Sequence, residues 1–234
     1  MKLSKIIALI LAIVCCVSLL ASCDIDGEGD GDGSSFDPSK MPKTPKEHYE
    51  YAVNYMMSNA YKQTSVTSGE LDGETYSDES LSYMDGTNYI NFEDNATYTY
   101  FDGTMYADSP NGKKKMEIDM DEFVESLGVS TDYLNEMSAL LTDDNIKMTK
   151  NADGTTTLEF SIELPVIGPS DYVMTLDKNA RLVKYTVTST MTIAGFTTTT
   201  VDDITVEYGD QYKVYPPADA DAYVVVNSYE DLVM

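Results

Sequence analysis

The sequence predicts an α+β domain in which one curved antiparallel β-sheet, an unclosed barrel, has helices covering its concave face. Three observations predict it. Asp-Gly and Asn-Gly pairs recur between strand-like runs, apolar and polar residues alternate along the second half of the chain, and some segments have the period of amphipathic helices. Because alternation leaves one face of each strand apolar, the helices are expected to cover that face.

The N-terminus has the pattern of a secretory signal. Lys2 and Lys5 precede an apolar run, Ile6–Leu20, that is shorter than the roughly 20 residues and stop-transfer flank of a membrane-spanning helix. The run ends in LLASC, which closely resembles the lipobox of bacterial lipoprotein precursors. The resemblance implies cleavage before Cys23 and attachment of lipid, with acyl chains such as palmitate, to its thiol. A plain secreted protein or an uncleaved anchor is the alternative.

Residues 23–43 are predicted to be a flexible tether. They are rich in Asp, Glu, Gly and Pro, a composition that buries little apolar surface. Asp26, Glu28 and Asp30 imitate the start of an EF-hand loop, but no helix precedes them and Gly33 stands where an apolar residue is usual. The expected organisation is a signal peptide at 1–22, the lipidated tether at 23–43 and one domain at 44–234.

Charge and cysteine content exclude several classes of function. The chain of 234 residues has a formal net charge of -25, so nucleic acid, which binds through Lys and Arg, is not an expected partner. Cys15 and Cys16 lie in the signal, which leaves Cys23 alone and rules out a disulfide within the mature chain. No cofactor is predicted. The expected location is the extracytoplasmic face of the cell membrane.

The first ordered segment is predicted to be an amphipathic helix. Thr44 is placed as the N-cap, Pro45 at the first helical position, and Glu47 completes a capping box. The predicted helical stripe consists of Ala52, Tyr55, Met56, Asn59 and Ala60.

A series of short turn motifs predicts β-hairpins after this helix. The motifs are LDGETY, YMDGTNY, YFDGTMY, SPNGKK and NADGTTT. Asp-Gly and Asn-Gly suit type I′ turns, which need positive φ at both central residues. Tyr83 with Tyr89, and Tyr100 with Tyr106, are predicted to form cross-strand aromatic pairs beside their turns.

The second half of the chain alternates more strictly. One predicted face carries Val183, Tyr185, Val187, Met191 and Ile193, and neighbouring strands repeat the pattern with Leu158, Phe160, Ile162 and Leu164 and with Tyr172, Met174 and Leu176. The threonines of the stretch 186–203 suit the solvated face of a strand, so this stretch is not predicted to be a recognition surface.

Two short helices are predicted between the halves of the sheet. Phe123, Val124 and Leu127 form the apolar side of the first, which Gly128 ends. A second helix is expected to carry Leu134, Met137 and Leu141 on one stripe.

With these elements in order, the chain resembles the LolA-like superfamily of lipoprotein carriers and lipid-binding lipoproteins. The resemblance covers Thr44 to about Ala218 and rests on element order, on the Y-x-D-G-x-x-Y hairpins and on the ending ITVEYGDQYKVYPPADA. It implies an N-terminal helix, an unclosed barrel with inserted helices, and an apolar cup without a catalytic motif. Unlike the periplasmic carriers, this chain is predicted to be lipidated itself.

The residue inventory gives little support for catalysis. His48 is the only histidine and is expected on the surface of the first helix rather than as the base of a hydrolytic triad. With Cys23 acylated, a His/Cys zinc site cannot be assembled. Trp, which glycosidases usually use for sugar stacking, is absent. A protein without enzymatic activity is therefore predicted.

The function predicted is binding or shielding of an apolar ligand such as lipid. The candidate cavity residues are Met56, Leu134, Met137, Leu141, Met174 and Met191. Methionine lines adaptable apolar surfaces, although the same residues could simply fill the core. The alternative function is an envelope interaction module that contacts proteins or glycans through an acidic, tyrosine-rich outer face.

Overall fold

The described part of the chain is one twelve-stranded sheet with a helix before it and a short helix after it. The structure is a computed structural model that describes residues 40–71, 74–93, 95–119, 140–164, 168–193 and 196–233. The helices are α1 (Pro45–Met57) and α2 (Tyr229–Val233), and 3-10 turns occur at Asp210–Tyr212 and Ala220–Ala222. The strands are β1 (Tyr61–Leu71), β2 (Glu74–Asp85), β3 (Asn88–Glu93), β4 (Ala96–Phe101), β5 (Thr104–Ser109), β6 (Gly112–Glu117), β7 (Lys147–Lys150), β8 (Thr156–Leu164), β9 (Gly168–Leu176), β10 (Leu182–Ile193), β11 (Phe196–Tyr208) and β12 (Val224–Val225).

The sheet consists of two meanders joined at its centre. Its order is β12-β6-β5-β4-β3-β2-β1-β11-β10-β9-β8-β7, and the long pair β1 and β11 joins the two halves. All pairs are antiparallel except the two-residue pairing of β12 with β6. Within the described residues the two ends of the sheet, β12 and β7, do not pair, so the barrel is unclosed. The predicted fold class, a curved antiparallel sheet with an N-terminal helix, is confirmed.

The predicted hairpins are present, but the predicted tyrosine pairs are wrong. Asp102 and Gly103 have φ of 46° and 77°, as a type I′ turn requires. Because this loop has two residues, Tyr100 pairs with Met105 and points to the face opposite Tyr106. Tyr83 and Tyr89 are separated in the same way, since the pairing of Met84 with Tyr89 puts Tyr83 on the other face.

Helix α1 begins as predicted and ends earlier. The Thr44 hydroxyl accepts from the Glu47 amide at 3.3 Å, and the Glu47 carboxylate accepts from the Thr44 amide at 3.2 Å. The helix ends at Met57, so Asn59 and Ala60 are not part of the helical stripe, and Tyr61 already begins β1. The change of period at this point ends the helix because the residues that follow alternate as a strand.

The predicted alternation of the second half is confirmed with one shift, except that the side chains of Leu164, Met191 and Ile193 lie outside the described part. Leu158, Met174 and Tyr185 are at most 1% exposed and lie in the same core cluster as α1. A register shift between Leu182 and Lys184 places Leu182, rather than the predicted Val183, in that core. A bulge of this kind changes which side chain points inward.

The C-terminal segment wraps around the β6 edge of the sheet. On the outer face, Tyr212 contacts Tyr83 with ring centroids 5.1 Å apart, and Tyr223 meets Tyr106 edge-on at 5.4 Å. After β12 pairs with β6, α2 reaches the opposite face, where Leu232 is 1% exposed. This segment, residues 209–233, is called here the strap; it was not predicted from the sequence, and it protects the β6 edge from pairing with other chains.

The predicted inserted helices fall mostly outside the described residues. Leu134 and Met137 lie there, whereas Leu141 is described: it follows the helical residue Leu140 and is 1% exposed. Leu141 is therefore buried but lies just beyond the helix. Within the described ranges no helix has the length and apolar character needed to cross a membrane.

Candidate functional site

The face of the sheet that contacts α1, called here the inner face, carries a continuous row of large side chains across seven strands. The row consists of Tyr208 on β11, Tyr61 on β1, Met84 on β2, Tyr89 on β3, Tyr100 on β4, Met105 on β5 and Met116 on β6, each directly opposite the next. At about 4.8 Å per strand the row is about 29 Å long. We call it the tyrosine–methionine row.

The two helices cover opposite ends of this row. Tyr55 of α1 packs edge-on against Tyr208 with centroids 5.1 Å apart. Leu232 of α2 packs with Tyr100 and Met105 in a separate buried cluster. Between them Tyr89 is half-buried, and it packs against the core clusters of both helices. Tyr89 is thus half-buried between buried neighbours, and Tyr208 and Met116 at the ends of the row are half-buried as well.

The side chains next to the middle of the row are polar. Ser82 donates to the Asn91 side-chain oxygen at 3.2 Å, and both residues are half-buried. The inner face therefore presents an apolar ridge with hydroxyl and amide groups beside it on β2 and β3.

The described candidate cavity residues lie in the packed core. Met56, Leu141 and Met174 belong to one cluster and are at most 2% exposed. Met191 belongs to β10 by its backbone, and Leu134, Met137 and Cys23 lie outside the described residues. The role of these residues as cavity lining or lipid attachment stays a prediction.

A buried polar patch lies on the inner face where β1, β9, β10 and β11 meet. Its members are Thr67, Ser170, Ser189, Thr200 and Asp202, and none is more than 4% exposed. Thr200 lies opposite Ser189, which in turn lies opposite Ser170. The hydroxyl oxygens of Ser189 and Ser170 are 2.8 Å apart. Asp202 is opposite Thr67, whose hydroxyl donates to Asp202 Oδ1. We call this set the Asp202 patch.

Two acceptors of the Asp202 patch have no partner in the described part of the chain. Asp202 Oδ2 and Thr200 Oγ1 are both buried and without a hydrogen bond there. Burial raises the pKa of the Asp202 carboxyl, although the hydrogen bond from Thr67 acts in the opposite direction. A buried carboxylate oxygen without a donor costs stability, so this patch needs an explanation beyond folding.

Gly69 allows a tyrosine ring to lie beside the patch. Gly69 is opposite Tyr76, and a Cβ at Gly69 would lie 2.7 Å from the Tyr76 hydroxyl oxygen and 3.0 Å from the Thr199 carbonyl oxygen. Burial raises the pKa of Tyr76, and the nearby Asp202 carboxylate raises it further. A larger residue than glycine at position 69 would therefore displace this ring.

The expectation that the threonines of 186–203 face solvent is wrong for Thr198 and Thr200. Thr198, Thr200 and Asp202 are buried. They share the parity of Ile204 and Val206, which point to the core. Following that alternation backwards along β11 would have placed Asp202 inside, but its polar character concealed the pattern.

His48 is also buried rather than exposed as predicted. It is 6% exposed, and its Nδ1 lies 2.8 Å from the Thr44 carbonyl oxygen, which the helix N-terminus brings close. Within the described ranges no group of three or more His, Cys, Asp or Glu side chains could hold a metal ion.

The chain is similar in structure to several solved proteins. A LolA superfamily protein from Nitrosomonas europaea shares 8% identity and a TM-score of 0.32, with 65% of this chain and 87% of that protein covered. A DUF1329 family protein from Desulfovibrio piger shares 13% identity and a TM-score of 0.30, covering 80% and 97% of the two chains. A candidate outer membrane lipoprotein-sorting protein domain from Vibrio parahaemolyticus shares 9% identity and a TM-score of 0.29, covering 70% and 89%.

Identities and TM-scores are low, so the fold assignment rests on the strand order and register of this chain. No protein-family model matches the chain, and no curated protein matches it.

Proposed function

We propose that this protein is a non-enzymatic lipoprotein, anchored at the extracytoplasmic face of the cell membrane, that binds or shields lipid on the inner face of its sheet. In this proposal residues 1–22 are removed, acyl chains on Cys23 anchor the protein, residues 23–43 form the tether, and residues 44–234 form the binding domain. The tether would separate the strongly acidic domain from an anionic membrane surface.

The tyrosine–methionine row is the observation that carries the proposal. A row of about 29 Å along one face of a sheet offers Tyr and Met side chains, which contact apolar ligands without demanding one geometry. Tyr89, in its centre, is half-buried although it lies between two core clusters. An acyl chain on this surface would bury it further.

Lipid that stays with the protein during purification tests binding directly. The full chain is extracted from membranes in mild detergent, and non-covalently bound lipid is identified by mass spectrometry. The proposal expects a lipid in a fixed ratio to protein, which Tyr89→Asp on the inner face reduces several-fold. Ile90→Asp is the matched control, because Ile90 is equally half-buried but faces outward. No retained lipid in the unaltered protein would contradict the proposal.

Cys23→Ser tests the anchor separately. The unaltered protein should fractionate with membranes and incorporate radiolabelled palmitate, whereas the variant should incorporate none. Palmitate incorporation that persists in the variant would show that the lipid is attached elsewhere.

The alternative, an interaction module with a tyrosine-rich outer face, has less support. The outward-facing rings of Tyr83 and Tyr106 are in contact with Tyr212 and Tyr223 of the strap. These rings therefore contribute to packing within the chain. We therefore favour lipid binding on the inner face.

A further inference from the structure

The Asp202 patch is the most unusual part of the inner face, because a purely apolar chain cannot form hydrogen bonds with it. Its buried carboxylate oxygen Asp202 Oδ2 and hydroxyl oxygen Thr200 Oγ1 have no hydrogen-bond partner in the described part of the chain. Two adjacent unsatisfied acceptors are costly in a folded protein. A ligand that donates hydrogen bonds to them would remove that cost.

We propose that the Asp202 patch binds the head group of an amphipathic lipid, and that this head group donates hydrogen bonds and carries no negative charge. Hydroxyl and ammonium groups share this chemistry. The inference rests on the proposed lipid binding and adds to it the chemical class of the ligand. Asp202 and Thr200 accept hydrogen bonds from the head group, and Thr67 holds the carboxylate through Oδ1.

The charges on the inner face favour such a head group over an anionic one. Asp78 lies opposite Thr67 on β2, so Thr67 stands between two inward-facing carboxyl groups. A phosphate or carboxylate head group would meet like charge there, which disfavours its binding. A neutral or positively charged donor meets no like charge at these two carboxyl groups.

The Asp202 patch and the tyrosine–methionine row lie on the same face of the sheet. Asp202 and Tyr208 are six residues apart on β11, about 20 Å along an antiparallel strand. Ile204 and Val206, which point to the same face between them, are buried in the core cluster of α1.

The test uses photoreactive alkyl probes of equal chain length, added to membranes that contain the full chain. One probe has a glycerol head, a second has the same head with both hydroxyls methylated, and a third has an ammonium head. The glycerol and ammonium probes should label the protein about tenfold more than the methylated probe, as one hydrogen bond to a charged acceptor predicts. Asp202→Asn should reduce glycerol and ammonium labelling by a similar factor.

Asp203→Asn is the matched control. Asp203 is adjacent on the same strand, faces outward and accepts from Thr186 at 2.7 Å, so labelling should match that of the unaltered protein. Equal labelling by the glycerol and methylated probes, or unchanged labelling of Asp202→Asn, would overturn the head-group inference and leave lipid binding intact. No labelling by any probe would overturn both.

Discussion

Thr67 on β1 donates a hydrogen bond from its hydroxyl to the carboxylate of Asp202 on β11, 135 residues away in sequence. This contact joins the two halves of the sheet at the pair of strands where they meet. It satisfies only one of the two carboxylate oxygens, since Oδ2 has no partner in the described part of the chain. One oxygen of the Asp202 carboxylate therefore holds the two halves of the sheet together, while the other is a buried acceptor without a donor on the inner face.

Asp202→Asn should make the ligand-free protein more stable at pH 7. Burial raises the pKa of Asp202, so the folded state favours the protonated carboxyl, and its charged form costs stability above the raised pKa. Removing the charge should increase the free energy of unfolding by about 1–3 kcal/mol. The gain should shrink as pH falls through the raised pKa and vanish below the ordinary value of 3.8. Urea unfolding at several pH values measures it.

The same substitution at the neighbouring Asp203 should change the free energy of unfolding in the opposite direction. The Thr186 hydroxyl, and to a smaller extent Lys184, lower the pKa of the exposed Asp203 carboxyl. Its contribution to stability is present above the ordinary Asp pKa and is lost as pH falls through the lowered value. Asp203→Asn should therefore cause a small decrease in the free energy of unfolding at pH 7.

A decrease in the free energy of unfolding of Asp202→Asn would contradict the first of these two predictions, because it would show that the charge of Asp202 is well solvated or paired.

Leu232→Ala should destabilise the protein although position 232 is near the end of the chain. Leu232 is 1% exposed and packs with Tyr100, Met105 and Ala107. The expected loss is about 2 kcal/mol, at the low end for a buried leucine. Val224→Ala on β12, where Val224 is 64% exposed, should change stability by much less. Equal effects of the two variants in urea unfolding would mean that α2 is not packed on the sheet.

The hydroxyls of Tyr212 and Tyr208 should contribute differently to the free energy of unfolding. The Tyr212 hydroxyl donates to Glu207 Oε1 at 2.6 Å, so Tyr212→Phe should cost about 1 kcal/mol. The Tyr208 hydroxyl is buried with no partner in the described ranges, and burial raises its pKa. Tyr208→Phe should leave the free energy of unfolding unchanged or increase it. A larger loss in Tyr208→Phe than in Tyr212→Phe would contradict this contrast.

Local signals in the sequence were enough to predict much of the fold. The Thr44 capping box identified the start of α1, and Asp-Gly pairs such as Asp102-Gly103 identified the hairpins. Apolar alternation identified the inward side of β8 to β10. Each of these features depends on residues that are close together in the chain.

The features that the sequence did not reveal depend on residues far apart. The strap has no periodicity of its own, and its side chains are buried only because Tyr83, Tyr106 and Met105 lie opposite them. The Asp202 patch consists of polar residues from separate strands, which come together only when β1, β10 and β11 are paired in register. Hydropathy alone assigns such residues to solvent.

Site-specific photocrosslinking from adjacent positions on β3 distinguishes lipid contact on the inner face from lipid contact on the outer face. A photoreactive phenylalanine analogue replaces Tyr89, which faces inward, or Ile90, which faces outward, in the full chain in its native membrane. We expect crosslinks from position 89 to lipid acyl chains and few from position 90. Equal crosslinking from both positions, or crosslinks from position 89 to protein alone, would contradict the claim that the inner face binds lipid.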